Sequence, residues 1–414
     1  MTFARFVKDN LRWLAGGFLL TFFSSFGQTF FISLSGGAIR AEFGLSNGDW
    51  GFVYMLATLA SALTLPFFGR IVDHVSIVTT SLIIIPMLTL AALLMGYAES
   101  IILLVILLYG LRLFGQGMMT HTAMTAMGRW FSAQRGRAVS VAVVGHQAGE
   151  ALLPIIFVYA LLVNGWRGTW IMSAVSLTVI ALPVIYLLLR VERSPTAQVA
   201  EGPAKTASKD WTQGEVLRDP LFYGLMIAVL APSFIGTTLF FHQDYLIELR
   251  GWDKLQFSLS FTVMAMLTFI FALVAGQLVD RYSAVALLPF FLLPLAAACI
   301  AMWAIEPIWG SFVFMGLLGV SYGFSSTLFG SIWPEVYGIK YLGGVRSITV
   351  AIMVFGTALG PGLTGYLIDY GTPYGLQILT MGLYCIAASA VMLVVSRKLM
   401  ARNRFLAQQG GATS

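Results

Sequence analysis

Residues Ile101 to Met127 read IILLVILLYGLRLFGQGMMTHTAMTAM, an apolar run whose single charge is Arg112. About 20 apolar residues suffice to cross the hydrocarbon core of a bilayer, so this stretch predicts a membrane-spanning helix that carries a buried arginine. The same pattern recurs on both sides of it. Apolar segments run from Trp13 to Gly36, Trp50 to Phe68, Ile77 to Tyr97, Ala138 to Val163, Thr169 to Leu189, Leu221 to Ile247, Phe257 to Val279, Ala284 to Ile305, Trp309 to Ile332, Ile348 to Ile368 and Tyr374 to Val395, which with the first makes twelve. The composition agrees: of 414 residues 58% are hydrophobic and only 10% charged, against about 25% charged in soluble domains. A soluble enzyme, a disordered chain and a secreted disulfide scaffold are excluded together, since the only cysteines, Cys299 and Cys385, lie inside apolar runs and read as packing.

The formal charge of +6 is explained by where the bases fall. With the amino terminus inside, only Arg40, Arg167, Arg250 and Lys254 lie in outer loops. Arg112 lies in a span, and every other Lys and Arg is on the inner side. That bias sets both termini in the cytoplasm and removes any need for a nucleic-acid partner. The first run is too long for a signal-peptide core and lacks a small-residue cleavage site before Arg40, so it is expected to be retained. The longest hydrophilic stretch, Arg190 to Pro220, separates spans six and seven. It divides the chain into a six-helix half at 1–190, a cytoplasmic linker at 191–220 and a second six-helix half at 221–414.

The halves repeat one another. Gly69-Arg70-Ile71-Val72-Asp73-His74 after span two matches Gly276-Gln277-Leu278-Val279-Asp280-Arg281 after span eight, 207 residues on. Arg135, Gly145 and Gly149 at span five match Arg346, Gly356 and Gly360 at span eleven, each 211 residues on. Tyr109-Gly110 with Gly117 parallels Met315-Gly316 with Gly323, 206 residues on. Matches in one order at corresponding helices predict an all-α membrane protein of two parallel six-helix repeats, the plan of a rocking transporter.

The whole chain resembles the major facilitator superfamily. Gly69, Asp73, Gly276, Asp280 and Arg281 match its loop signature, with His74 where the family has arginine. The resemblance implies a conformational latch in which such a carboxylate meets the positive end of a neighbouring helix, worth about 0.3–1 kcal/mol. Within the superfamily, Arg129-Trp130-Phe131 through Arg135-Gly136-Arg137-Ala138 to Gly145, Gly149 and Pro154 resembles the fifth-span signature of monocarboxylate transporters and oxalate/formate antiporters. Ser25-Phe26-Gly27 with Phe43-Gly44-Leu45-Ser46 resembles their first hairpin. Those families place charged residues in span eight or eleven, whereas neither interior has one here.

Arg112 and Glu150 are the only ionisable pair of opposite sign well inside the spans, and intramembrane charges are functional candidates. Each lies about 17 Å along its helix, at 1.5 Å per residue, so the two could meet near mid-membrane. Two readings are open: Glu150 carries a proton while Arg112 holds an anionic substrate or Glu150, or the two form a permanent ion pair. His146, four residues before Glu150, shares its face and could pass a proton or serve as a core hydrogen-bonder. Gln28 with Ser24, Gln116 with Thr120, His242 with Thr238, and Tyr322 with Ser326 stand four apart on spans one, four, seven and ten, the helices that line the cavity in the superfamily, and such polar residues equally serve as contacts between helices. Phe30, Phe31, Phe240 and Phe241 recur near the outer ends of spans one and seven, as an outer gate or as lipid-facing packing.

No Gly-x-x-x-x-Gly-Lys-Ser/Thr loop and no clustered metal ligands occur, the four histidines being His74, His121, His146 and His242. No enzyme activity, cofactor or resident metal is therefore expected. The expected function is secondary active transport of a small, monocarboxylate-like organic anion, by symport with a proton. Proton-driven efflux of a drug-like compound or metalloid is the alternative. The expected partners are that small-molecule substrate, the proton and membrane lipid, for a monomer in the inner membrane of a bacterium.

Overall fold

The computed structural model describes residues 3–131, 134–191, 193 and 209–411; most of the linker expected at 191–220 lies outside them, and so does the Asp73 side chain. The described residues form helices and no strands. Nine of these helices are long and apolar enough to cross a membrane, ten if the bent pair Leu11–Gly27 and Thr29–Phe43, which turns by 47°, counts as one span. The twelve runs are all accounted for. One helix, Gly136–Leu189, contains spans five and six, because the backbone turns at Gly165, whose φ of 65° suits a residue without a Cβ. Span nine is the shorter pair Ala284–Leu287 and Leu293–Ala304, interrupted around Pro289, which can donate no backbone hydrogen bond.

Helix ends follow local chemistry. Span two, Asn47–Gly69, begins at a capping box in which Ser46 Oγ accepts from the Asp49 N–H and the Asp49 carboxylate accepts from the Ser46 N–H. Ser76 and Ser100 cap spans three and four in the same way, each accepting from the residue three ahead. Gly44, with φ of 64°, ends span one in the left-handed conformation.

The chain forms two compact units. The first gathers residues 1–201, 240–262 and 361–369, and the second 202–239, 263–360 and 370–414. In the first, spans one and five approach closely. A Cβ on Gly149 would stand 2.7 Å from the Phe22 carbonyl oxygen, so the glycine is what permits the contact. In the second, span eleven meets span seven by the same device, with Gly360 3.1 Å from the Phe234 oxygen and Gly356 3.2 Å from Leu230 by the same measure. The glycines matched by the sequence repeat thus do equivalent work in each copy.

Lipid supplies little hydrophobic drive between helices, so packing contacts must hold these units together. The first is built on the buried rings of Phe31, Phe157 and Trp170, with Phe31 and Phe157 4.3 Å apart. The second is built on Phe222, Trp333 and Tyr337 with Phe291, Cys299 and Cys385, both thiols free and buried. Ile102 at 75% exposure and Leu63 at 72% belong to the surface offered to acyl chains.

Candidate functional site

Span one is not a continuous helix. It runs helical from Leu11 to Phe23, tightens to a 3₁₀ turn over Ser24–Gly27, extends at Gln28 (φ −83°, ψ 152°), and resumes at Thr29. Against this break packs span four, wound as a π-helix over Leu111–Met119. Wider turns of this kind recur at functional positions because they re-aim side chains. The two segments touch backbone to backbone: a Cβ on Gly27 would lie 2.7 Å from the Gln116 nitrogen and 2.8 Å from the Gly115 Cα. Only glycine at 27 and 115 allows the approach.

Arg112 is buried at this junction, with 4% exposure. Its Nη1 donates to the Gly27 carbonyl at 3.3 Å and to Thr29 Oγ1 at 3.2 Å. Tyr54 from span two stands beneath it, its ring centroid 5.4 Å from the guanidinium carbon and its hydroxyl 2.6 Å from Thr29 Oγ1. The Nε of Arg112 is buried without a hydrogen-bond partner. Glu150, at 5% exposure, makes no hydrogen bond or ion pair among the described residues. The two charges the sequence set in adjacent spans are therefore both buried and not paired with each other. Arg112 is instead bound to span one.

The other expected residues divide by place. His146 is half-buried, its ring 6.5 Å from that of Phe30. Gln28 and Gln116 lie half-buried at the span-one break and in the π-helical turn. Tyr322 belongs to the second unit, where its hydroxyl faces Gly236 of span seven. His242 sits at the outer end of span seven, fully enclosed, with Nε2 3.0 Å from the Pro361 carbonyl. It belongs to a closure of the first unit's outer end rather than to the arginine site.

That closure is extensive. Gln243 donates to the Phe30 carbonyl and to Ser33 Oγ, both at 2.8 Å. Asp244 accepts from the Gly37 N–H at 2.6 Å and pairs with Lys254, while Arg40 pairs with Glu248 at 3.6 Å. Asp369 accepts from the Asn47 and Gly48 N–H groups at 3.1 and 2.7 Å, at the amino end of span two. Phe30, Phe240 and Phe261 seal the layer beneath, with Phe240 stacked on Phe261 at 5.6 Å. Phe30, Phe31, Phe240 and Phe241 are all buried, so these rings are not lipid-facing.

The loop signature is quieter. Gly69 lies 3.4 Å from His121 Nε2, measured from an added Cβ, and Gly276 has open space around it. Asp280 is exposed and makes no hydrogen bond or ion pair among the described residues, while exposed Arg281 lies over the Tyr282 ring at 5.2 Å. Among the carboxylates that do meet the amino end of another helix are Asp369 and Glu335, the latter accepting from the Ala284 N–H at 2.8 Å. Sequence reasoning missed both, along with Thr29, Tyr54 and Gln243. An acid placed just where an apolar run ends, as Asp369 is, is the available signal.

Known proteins carry this plan. A bovine (Bos taurus) relative, monocarboxylate transporter 13, is 25% identical over 281 residues, 66% of this chain and 62% of that protein. The chain thus spans less than two thirds of that relative's length. The oxalate:formate antiporter of Oxalobacter formigenes is 29% identical over 146 residues, 35% of this chain and 34% of that one. The crystal structure of a bacterial homologue of the human lysosomal transporter Spinster, inward-facing and unoccupied, superposes with a TM-score of 0.67 at 17% identity. It covers 96% of this chain and 97% of that one, a likeness of fold. The pattern of the Major Facilitator Superfamily matches residues 17–249 and again 240–412. Matched along nearly its whole length, this multi-pass membrane protein belongs to the Major Facilitator Superfamily of transporters.

Proposed function

We propose that the protein moves a small organic anion of the monocarboxylate type together with a proton, by alternating access of the two six-helix halves about the cytoplasmic linker. The observation that carries this reading is the pair of buried, mutually unpaired charges, Arg112 and Glu150. A charge in the bilayer interior costs several kcal/mol unless compensated. With Glu150 ionised, the two groups of the empty site carry one positive and one negative charge. Binding an anion alone leaves it net negative, and protonating Glu150 alone leaves it net positive. Only with both loaded, or neither, does the site balance, and those are the forms best able to reorient across the membrane. Coupling between anion and proton follows from this arithmetic. The names of the two relatives, one a monocarboxylate transporter and one an exchanger of oxalate and formate, support the same substrate class.

The carrier of the proton is Glu150, with His146 one helical turn away. The reading takes the protein as a monomer in the inner membrane of a bacterium with both termini cytoplasmic, the orientation that the charge bias supports. Purified protein in liposomes with an internal pH dye tests the reading. Acidification inside on adding a short carboxylate, absent in Arg112→Ala, is the expected result. Glu150→Gln should lose proton-driven uptake yet keep anion exchange, and unchanged pH dependence in that variant removes Glu150 from the mechanism.

A second reading, proton-driven efflux of a drug-like compound or metalloid, is favoured by the uncharged interiors of spans eight and eleven and by the aromatic layer of Phe30, Phe240 and Phe261. Counterflow of labelled lactate separates the two. No exchange, with increased sensitivity of deletion cells to toxic compounds, selects efflux.

A further inference from the structure

We infer that Thr29 and Tyr54 are positioning residues that orient Arg112 so that its Nε–Nη2 edge receives one carboxylate group. This rests on the reading of Arg112 as the anion-binding residue and adds how the anion is held. A guanidinium has five N–H donors in a fixed plane. Two contacts from Nη1, to the Gly27 carbonyl and Thr29 Oγ1, use both donors of that nitrogen. Nε is buried with no partner, and Nη2 makes no hydrogen bond among the described residues. An unmade hydrogen bond on a buried charged group is costly and calls for a partner. The remaining Nε–H and the nearer Nη2–H are parallel and lie on one edge, matching the two oxygens of a carboxylate side-on.

The fixed end is as telling as the free one. The break in span one at Gly27–Gln28 turns a main-chain oxygen toward the arginine, and the chain resumes with Thr29 beside it. Tyr54 adds a ring below the guanidinium and a hydroxyl on Thr29. The ring is itself wedged by Phe241 at 4.6 Å, so it cannot swing aside freely. Rotation of the guanidinium about its long axis would break the Nη1 contacts and lose the ring. The substrate thus meets a preset edge instead of a mobile side chain, which lowers the ordering cost of binding.

The experiment compares labelled-lactate uptake by the full-length wild type, Thr29→Val, Thr29→Ser, Tyr54→Phe and Arg112→Lys in liposomes. Thr29→Val should raise the half-saturation concentration roughly tenfold, as expected for a lost hydrogen bond to a charged group, with maximal rate within about twofold. Thr29→Ser should restore it. Tyr54→Phe keeps the ring and should shift it by about threefold, while Arg112→Lys, which has charge but no planar edge, should lose saturable uptake. Wild-type half-saturation in both Thr29→Val and Tyr54→Phe overturns the inference alone. A fall in maximal rate that serine does not repair also overturns it, because it marks a structural role. If Thr29→Val does not fold, Tyr54→Phe against the wild type decides. A wild type that takes up no lactate or other short carboxylate removes the substrate reading and this inference with it.

Discussion

Replacing Asp369 by asparagine should loosen the outer end of the first unit. The four leading N–H groups of a helix lack partners inside it, and in span two three of them are supplied from elsewhere. Asp369 takes the Asn47 and Gly48 donors, and Ser46 Oγ takes the Asp49 donor. A Cβ at Gly48 would stand 2.6 Å from Asp369 Oδ2, so the glycine makes room for the carboxylate. Asparagine keeps the shape and one acceptor oxygen but loses the charge and the second acceptor. A lost cap interaction costs about 1 kcal/mol and the helix dipole adds roughly 0.3–1 kcal/mol. Asp369 is exposed, so screening holds the total to about 1–2 kcal/mol, a shift of roughly 5- to 30-fold between closed and open populations. The readout is labelling of Gln28→Cys, at the span-one break beneath the closure, by an impermeant maleimide added outside. Cys299 and Cys385 are replaced by alanine in that background. The initial rate should rise at least about fivefold, and a change under twofold, in Asp369→Asn and Asp244→Asn alike, refutes the latch.

Further outcomes follow from single sites. Gly27→Ala should destabilise the protein by about 1–3 kcal/mol, since the new methyl meets main-chain atoms of span four and no flexible side chain can yield, and the thermal midpoint in detergent checks it. Arg167→Met should lower that midpoint too, because Arg167 joins Glu42 to the carbonyls of Gly96 and Ala98 and so ties three outer loops together; an unchanged midpoint counts against that role. Glu215, in the described part of the linker, has its pKa held down at about 2, first by the Lys209 ammonium and then by the Thr212 N–H and hydroxyl. Its folded value lies below its unfolded one, so the stability it adds to the helix Gln213–Arg218 is present above the usual carboxylate range and is lost as pH falls from about 4.3 toward 2. Amide protection across 213–218, corrected for intrinsic exchange, should fall over that window in the wild type and stay flat in Glu215→Gln.

The spans were legible because a hydrocarbon core leaves few alternatives to a long apolar helix. The repeat was legible because Gly149 and Gly360 sit where backbones touch, and no larger residue can replace them there. The break in span one was not legible, although Ser24, Ser25, Gly27 and Gln28 stand together in an otherwise apolar run. Weak helix formers mark a place where a helix can break, but what holds the break open is Arg112, some 85 residues away in sequence. Whether Arg112 and Glu150 pair was left open by the sequence for a related reason. Depth along a helix can be counted from the sequence, but which way a side chain turns depends on local winding, and the π-helical turn at Leu111–Met119 alters it. The loop signature showed the converse. Asp280 matches the family pattern yet touches no helix end among the described residues, while unmatched Asp369 and Glu335 do.

The site and the closure share one segment of chain. Thr29–Phe43 is held at its inner end by Arg112 and Tyr54 through Thr29. Toward its outer end it is held by Gln243 on Phe30 and Ser33, Asp244 on Gly37, and Glu248 on Arg40. An anion that takes the free edge of Arg112 weakens the pull of the guanidinium on Thr29, because the charge is then shared. The segment then gains freedom where it meets the break, and the contacts at its far end must bear more of the load. Coupling of this kind is reciprocal: whatever factor binding contributes to opening, opening contributes to binding. Asp369→Asn, measured for maleimide labelling with and without a transported carboxylate, should therefore show a smaller added effect of the anion than the wild type does, since the variant already populates the open form. Equal increments in both proteins would mean that the arginine and the closure respond independently, and that the break in span one only houses the arginine without transmitting its state.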